Sequence, residues 1–235
     1  MKKVLIIGAT HGNEPLGIEV AARLRTQGLG NSFDLLIANP KALEQGVRLT
    51  DADLNRSYPG DATSSKYEVV RAAENLKQAK QYAYCLDIHE ASAGTDDFII
   101  SPREALDTTF PIEMIDLNRV ILWPEPKGPL GGVLMNTVEI EFGTRGRDRA
   151  ELVTTATDII ERCVRSIAQG TGQATGLKQI YKVTGTIALD DKRYKDSLLQ
   201  DFQKVDDVTP WFPLLTGQYT RLGIRCYRME KVDNP

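Results

Sequence analysis

Apolar and polar positions follow two different periods along most of the chain, and each period predicts one kind of element. Short apolar runs such as Val4–Ile7 predict buried strands, whereas apolar residues three or four positions apart in Lys66–Lys80 predict an amphipathic helix. The same patterns predict further strands at Phe33–Ala38, Tyr82–Ile88, Phe98–Ile100, Val120–Trp123 and Thr137–Phe142, and further helices at Pro15–Gln27 and Arg149–Ala168. Because strands that alternate with helices are typical of parallel sheets, we predict the α/β class, with a mostly parallel, mixed sheet flanked by helices.

A segment rich in Gly and Thr, residues 169–176, interrupts this alternation. After it come β-type runs at Gln179–Leu189 and Gly223–Met229, with little helical periodicity. We therefore predict two domains, a main domain over residues 1–169 and a small β-rich C-terminal domain over residues 177–235.

Composition and charge exclude several classes of function. The formal net charge of −3 offers no basic surface for nucleic acid. No apolar stretch approaches the ~20 residues of a membrane span, and the apolar run after Met1 is shorter than the ~7–15 residues of a signal sequence. The three cysteines are an odd, widely spaced set. They favour neither a disulfide framework nor a cysteine-based zinc site, so we expect a cytoplasmic protein.

The two histidines of the chain each follow a predicted strand. His11 lies in Gly8-Ala9-Thr10-His11-Gly12-Asn13-Glu14, and His89 follows the strand that ends at Ile88. The carboxyl ends of parallel strands meet at one edge of a sheet, where open α/β proteins bind ligands. Zinc favours imidazole nitrogen and carboxylate oxygen, and a catalytic zinc keeps three protein ligands. A His-x-x-Glu spacing also arises by chance, but the order strand, turn, helix favours a metal site.

A polar segment between the two histidines, residues 48–60, contains Arg48, Asn55 and Arg56. An arginine guanidinium can bind a carboxylate through two hydrogen bonds, and an asparagine adds a directional donor. A solvated polar loop is the simpler interpretation for such a segment on its own. Next to a metal site, the same residues are candidates for binding a substrate carboxylate.

Four motifs, in this order and at these approximate spacings, resemble the aspartoacylase/succinylglutamate desuccinylase family, which is zinc carboxypeptidase-like. The resemblance covers roughly residues 4–143. The motifs are Gly8-Ala9-Thr10-His11-Gly12-Asn13-Glu14; Asn39-Pro40 with Arg48 and Asp53-Leu54-Asn55-Arg56; Asp87-Ile88-His89; and Ile140-Glu141-Phe142-Gly143.

The resemblance implies a catalytic domain with one zinc ion per chain and assigns roles to particular residues. The implied zinc ligands are His11, Glu14 and His89. Glu141 would be the general base that takes a proton from metal-activated water and passes it to the leaving amine. Arg48 would polarise the scissile carbonyl and stabilise the oxyanion.

Three further residues would bind the substrate, a small anionic N-acyl amino acid. Asn55 and Arg56 would hold its α-carboxylate, and Tyr219 is the best positional match to a tyrosine of the family's C-terminal domain. An arginine that precedes the catalytic glutamate in the family and reads a substrate side-chain carboxylate is missing from Gly128–Val133. Two arginines in Thr144–Arg147 could read an anionic group from another side.

Other carboxylates near these motifs have alternative roles. The alternation in Thr137–Phe142 places Glu139 and Glu141 on the same face of the strand, so only the resemblance selects Glu141 as the base. Asp53 and Asp87 are candidates for hydrogen bonds to the ligating histidines. Glu90 is predicted to be a loop residue.

We expect a zinc-dependent amidohydrolase that cleaves an N-acyl amino acid. A metallocarboxypeptidase acting on short peptides would use the same residues, so it stays an alternative. A second alternative is an inactive metal-binding or substrate-binding relative, although such a protein would be expected to lose Glu141 or a ligand. The sequence leaves open the acyl group, the amino acid, the metal in the cell and whether the chain forms a homo-oligomer.

Overall fold

The computed structural model describes residues 4–92, 94, 96–103, 106–124, 128–170, 177–194, 199–206 and 208–232. Its strands are β1 Val4–Gly8, β2 Phe33–Ile37, β3 Tyr84–Ala91, β4 Phe98–Ser101, β5 Arg119–Leu122, β6 Thr137–Gly143, β7 Gln179–Ala188, β8 Phe212–Leu214 and β9 Ile224–Val232. Its α-helices are α1 Leu16–Thr26, α2 Pro40–Gln45, α3 Tyr67–Ala79, α4 Leu130–Val133 and α5 Arg149–Gln169.

One nine-stranded sheet joins all the strands, in the order β2-β1-β3-β6-β4-β5-β7-β9-β8. The pairs β1–β2, β1–β3, β3–β6, β4–β5 and β5–β7 are parallel, whereas β4–β6, β7–β9 and β8–β9 are antiparallel. The predicted α/β fold, with a mostly parallel, mixed sheet, is confirmed.

Helices pack on both faces of the sheet, as the buried strands require. Every residue of β1 is fully or almost fully buried, and its alternate side chains join two different cores. Val4 and Ile6 pack with apolar residues of α1 and α5, whereas Leu5 and Ile7 pack with apolar residues of α3. This two-sided burial explains why β1 reads as a continuous apolar run rather than an alternating one.

The C-terminal strands extend the same sheet, because β7 pairs with β5 in parallel. Strands β7, β8 and β9 form an antiparallel group at that edge, which agrees with the β-rich character predicted for this part of the chain. The predicted linker lies mostly outside the described residues, at 171–176. The division into domains at residues 1–169 and 177–235 stays a prediction.

The strand that carries His89 runs further than its apolar pattern predicts. It ends at Ala91, so His89 and Glu90 lie inside β3 and Glu90 is not a loop residue. The structural reason is the pairing with β6, which continues to Ala91 opposite Gly143. Within the described parts of the chain, no helix has the length and apolar character that a membrane crossing requires.

Candidate metal and substrate site

The turn between β1 and α1 presents His11 and Glu14 at the carboxyl edge of the sheet. Gly12 lies against α2 so closely that an added Cβ atom would be 2.1 Å from the Ala42 carbonyl carbon. The Gly12 N–H also donates to the carbonyl of Arg48 at 3.2 Å. This close contact holds the turn in place and explains why a glycine follows His11 directly.

Three side chains that the sequence places far apart meet at this edge. The ligand atoms of His11, Glu14 and His89 all lie within 4.8 Å of one another, and the three residues are buried. Glu14 lies between the histidines: its Oε1 is 3.0 Å from His11 Nδ1, and its Oε2 is 3.1 Å from His89 Nδ1. Two imidazole nitrogens and one carboxylate are the donor set of a catalytic zinc site.

The outer nitrogen of each ring faces another carboxylate. His11 Nε2 lies 3.3 Å from Asp53 Oδ1, and His89 Nε2 lies 3.4 Å from Asp87 Oδ2. Thr10 donates from its hydroxyl to Asp87 at 2.8 Å, which holds that carboxylate in place. A carboxylate that accepts the proton of the outer nitrogen leaves the inner nitrogen to bind a metal; the Asp53 contact has hydrogen-bond geometry, whereas the Asp87 contact is a close approach only.

The chemistry of this cluster fits a divalent cation. The buried Nδ1 of His11 has no hydrogen-bond partner of good geometry. Burial by itself lowers the pKa of His11, but the charge of Glu14 and a hydrogen bond to Asp53 outweigh it and raise the pKa. The net direction shows that the surrounding carboxylates favour a positive charge at this point, which a metal ion would supply.

A short polar segment brings the predicted substrate-binding residues to the same edge. Arg48 contacts Glu14 at 3.3 Å and Asp53 at 3.2 Å through its two terminal nitrogens. Asn55 and Arg56 lie in a 3₁₀ turn, Leu54–Arg56, and the Asn55 N–H donates to the Asp53 side chain at 2.9 Å. Arg56 also donates to the Asn55 carbonyl at 3.0 Å.

A buried glutamate on α3 holds this segment. Glu68 accepts from the backbone N–H of Thr50 at 2.6 Å and from its hydroxyl at 2.7 Å. It also accepts from the N–H groups of Asp51 at 2.9 Å and Ala52 at 3.0 Å. Asn39 donates to the same carboxylate at 3.3 Å. Burial by itself would raise the pKa of Glu68, but these hydrogen bonds lower it to about 2.

Two glutamates of β6 face the same cavity, as the alternation predicts. In the pairing of β3 with β6, Glu141 lies opposite His89 and Glu139 lies opposite Asp87. Burial raises the pKa of Glu141 to about 7; His89 opposes this shift, and the charges of Glu14 and Glu139 add to it. A carboxylate with this pKa can both accept and release a proton near neutral pH.

A cavity at this edge collects the predicted residues. The polar side chains that line it include His11, Glu14, Arg48, Asn55, Arg56, Glu139 and Glu141, whereas His89 is not among the lining residues. The apolar residues that line it, here called the apolar wall, are Ile100, Pro102, Trp123, Pro129 and Leu215. Tyr219 also lines the cavity, and burial raises its pKa to about 12. Residues from the C-terminal part of the chain therefore complete the cavity.

A model of the family described as succinylglutamate desuccinylase/aspartoacylase catalytic domain matches residues 1–119, half of the 235 residues. The chain belongs to this family. The residues matched include β1, the His11 turn and the strand that carries His89, and they end before β6.

Relatives with established names match parts of the chain. An N-acyl-aromatic-L-amino acid amidohydrolase (carboxylate-forming) of Xenopus laevis is 32% identical over 117 residues, which are 43% of this chain and 38% of that protein. The protein of the same name from Xenopus tropicalis is 27% identical over 190 residues, which are 66% of this chain and 59% of that protein. The matches thus span less than two thirds of these relatives.

Solved structures share the fold over nearly the whole chain. The succinylglutamate desuccinylase from Chromobacterium violaceum has a TM-score of 0.76 and 19% identity, and the match covers all of this chain and 86% of that one. Murine aminoacylase 3 has a TM-score of 0.74 and 20% identity, with 98% and 95% covered. The predicted zinc carboxypeptidase-like fold is confirmed.

The two arginines of Thr144–Arg147, which the sequence offered as candidates for binding an anionic group, do not line the cavity. The segment that lacks the family's arginine contributes Pro129 to the apolar wall. Arg147 contacts both oxygens of Asp97, at 2.7 and 2.9 Å, and lines an outer groove next to the cavity. Arg145 is exposed and lines neither.

Three residues contribute to the site in ways that the sequence patterns did not predict. Glu68 holds the segment of Arg48 and Asn55, and Trp123 forms part of the apolar wall. Glu90 accepts from the first N–H of α1, that of Leu16, at 2.9 Å. Glu68 follows a polar segment at the start of a helix, and a capping role for it could have been proposed from that position.

Proposed function

We propose that this protein is a zinc-dependent amidohydrolase that cleaves the amide bond of an N-acyl amino acid. The products would be a carboxylate and a free amino acid. The observation that carries the proposal is the convergence of His11 Nδ1 and His89 Nδ1 on Glu14, in a cavity that also contains Glu141 and Arg48. The names of the Xenopus relatives, which are amidohydrolases of N-acyl-aromatic-L-amino acids, support this type of reaction.

His11, Glu14 and His89 would hold the zinc ion. When bound, zinc supplies a Lewis acid for the scissile carbonyl and lowers the pKa of water towards ~7. Asp53 and Asp87 support the ligands from behind, because each faces the outer nitrogen of one histidine.

Glu141 is the proposed general base. It takes the proton of the attacking water as the new C–O bond forms, and it returns a proton to the amine nitrogen as the C–N bond breaks. Burial raises the pKa of Glu141, and the charge of a bound metal would favour its ionised form before the attack; the group must be ionised before the attack and protonated after it. Proton transfer of this kind contributes typically about 10²- to 10⁴-fold to the rate.

Arg48 and the 3₁₀ turn bind the charges of the substrate in this proposal. The Arg48 guanidinium, next to the ligand Glu14, would stabilise the oxyanion of the tetrahedral intermediate. Arg56 and Asn55 would bind the α-carboxylate, and Tyr219 would contact the substrate from the C-terminal part of the chain.

A cytoplasmic location and a domain boundary after residue 169 are also proposals.

The test combines metal analysis with an activity screen. The purified protein should contain close to one zinc ion per chain and should hydrolyse at least one of a panel of N-acetyl, N-succinyl and N-formyl amino acids. Dipeptides in the same panel examine the carboxypeptidase alternative. The Glu141→Gln variant should keep the metal and lose about 10²-fold or more in kcat.

Glu151→Gln is the matched control, because Glu151 is exposed on α5 and does not line the cavity. It should retain normal kcat and metal content. Hydrolysis of dipeptides alone would replace the proposal with the carboxypeptidase. A metal-loaded protein that hydrolyses nothing in the panel, or a Glu141→Gln variant with normal kcat, would contradict the proposed reaction or the proposed base.

A further inference from the structure

Two buried acceptor atoms in the catalytic cavity have no hydrogen-bond partner. One is Oε1 of Glu139, a side chain only 3% exposed, and the other is Oδ1 of Asn55, which is 6% exposed. Both residues line the cavity. Buried polar atoms nearly always find a partner in a folded protein, so two unpaired acceptors on one cavity wall indicate a missing donor.

A hydrogen bond between Asn55 and Glu139 determines which of their polar atoms remain without a partner. Asn55 Nδ2 donates to Glu139 Oε2 at 3.2 Å. In this contact the amide nitrogen is the donor and the carboxylate oxygen is the acceptor. The Asn55 oxygen and the second Glu139 oxygen therefore stay available together.

Glu139 has apolar neighbours in the cavity, and the charges of His89 and Arg56 also act on it. Ile100 pairs with Glu139 across β4 and β6, and Pro102 and Trp123 line the same cavity. Arg48 and Arg56 are the arginines of the cavity among the described residues, and Arg48 already contacts Glu14 and Asp53. A ligand group with an apolar stem and a donor at its end would therefore match this part of the cavity.

We propose that Glu139 is a specificity-determining residue that binds a primary ammonium group on the side chain of the amino acid. The proposal rests on the proposed amidohydrolase function and narrows its substrates to N-acyl derivatives of diamino acids. An ammonium carries three N–H donors and no acceptor, so it can serve both unpaired oxygens, whereas a hydroxyl carries a single donor. A carboxylate side chain would meet Glu139 as a like charge in a buried setting and would be rejected.

The position of Asn55 indicates which part of the substrate reaches Glu139. Asn55 is proposed to hold the α-carboxylate, and its side chain contacts Glu139 directly. The group nearest to Glu139 therefore belongs to the amino acid and not to the acyl group.

A simpler role for Glu139 must be separated from this one. If Glu139 serves only to orient Asn55, its charge matters equally for every substrate, because all of them carry the α-carboxylate. If Glu139 binds an ammonium, its charge matters only for substrates that have one. The two roles differ in how the effect of one substitution depends on the substrate.

The experiment compares three N-acetyl amino acids that differ at the end of the side chain. Ornithine ends in an ammonium, norleucine ends in a methyl group of nearly the same size, and glutamate ends in a carboxylate. With the wild-type protein we expect kcat/KM for the ornithine compound to exceed the other two by about 10- to 100-fold, the range for one hydrogen bond to a charged group.

Glu139→Gln is the variant, because the glutamine carbonyl can still accept from Asn55 while the charge is lost. It should reduce the preference for ornithine over norleucine, measured as the ratio of the two kcat/KM values, about tenfold or more. Equal loss for all three compounds would overturn the proposal in favour of orientation alone. A wild-type protein that prefers norleucine or glutamate would also overturn it.

Measurements of substrate binding distinguish a failure of the ammonium-site proposal from a failure of the proposed hydrolase function. If none of the three compounds is hydrolysed, the proposed function is in question, and the same compounds are compared by isothermal titration calorimetry. Tighter binding of the ornithine compound to wild type than to Glu139→Gln would still support the ammonium site. Equal binding to both proteins would reject it.

Discussion

Replacing Glu68 with glutamine should loosen the segment that carries the substrate-binding residues while leaving the metal ligands in place. A glutamine has one acceptor oxygen where the carboxylate has two. With that oxygen at the position that accepts from Thr50, the N–H groups of Asp51 and Ala52 would face an NH₂ group and lose their partner. The alternative orientation loses the Thr50 contacts instead.

Two calculations that rest on the same hydrogen bonds give the size of the effect. A hydrogen bond to a charged group contributes about 1.5–3 kcal/mol, and this segment is partly exposed, so water recovers part of two lost bonds and leaves about 2–4 kcal/mol. The pKa of Glu68 falls from 4.5 to about 2, and at ~1.4 kcal/mol for each pKa unit this corresponds to about 3 kcal/mol. The side chain of Glu68 is buried, but its partners on the segment are only partly buried, so the second figure is an upper bound.

The direction of the pH dependence follows from the lowered pKa. A carboxyl group whose pKa is lower in the folded state stabilises the fold above its unfolded pKa, here 4.5, and loses that effect as the pH falls towards about 2. The difference in unfolding free energy between wild type and Glu68→Gln should therefore be full at pH 7. It should fall to about half at pH 3.

Urea denaturation at pH 7 and pH 3 measures this difference, with Glu74→Gln as the matched control. Glu74 lies on the same helix, has a side chain 54% exposed and pairs with Arg71, so its loss should cost about 0–1 kcal/mol. We also expect Glu68→Gln to raise KM and retain zinc, because Asn55 and Arg56 follow the loosened segment. If the two variants lose the same stability at pH 7, within about 0.5 kcal/mol, Glu68 does not hold the segment as the structure implies.

Two further substitutions examine the metal site itself. Gly12→Ala should lower metal affinity, because the added Cβ atom would collide with the Ala42 backbone and displace His11. In the control Gly30→Ala, the added Cβ atom meets nothing closer than 3.6 Å, so metal affinity should be nearly unchanged. Equal zinc content in both variants after dialysis against a chelator would contradict this. Asp53→Asn should weaken zinc binding about 10- to 100-fold in a competitive chelator titration, since the carboxylate next to the outer nitrogen of His11 is lost; unchanged affinity would show that Asp53 does not support that ligand.

Local patterns in the sequence were enough to predict much of the fold and the inner part of the site. The apolar run at Val4–Ile7 and the following Gly-rich turn placed His11 at a strand end, and the structure agrees. The alternation in β6 placed Glu139 and Glu141 on one face, and both line the cavity. These features depend on backbone geometry over a few residues, which periodicity and turn residues report directly. The family resemblance added the order of the motifs and is confirmed.

The tertiary structure decided which distant groups meet. Asp53 faces His11 across 42 positions of sequence, and Asp87 pairs with Thr10 across 77. Such contacts follow from the strand order and from the register of β3 against β1 and β6, and neither is encoded in a local period.

The apolar wall around Trp123 and the five donors on Glu68 arise in the same way, since residues from separate elements close one cavity or one loop. A sequence pattern specifies which side of its own strand or helix a residue occupies. The burial of charges and apolar groups across the whole sheet determines what that side faces.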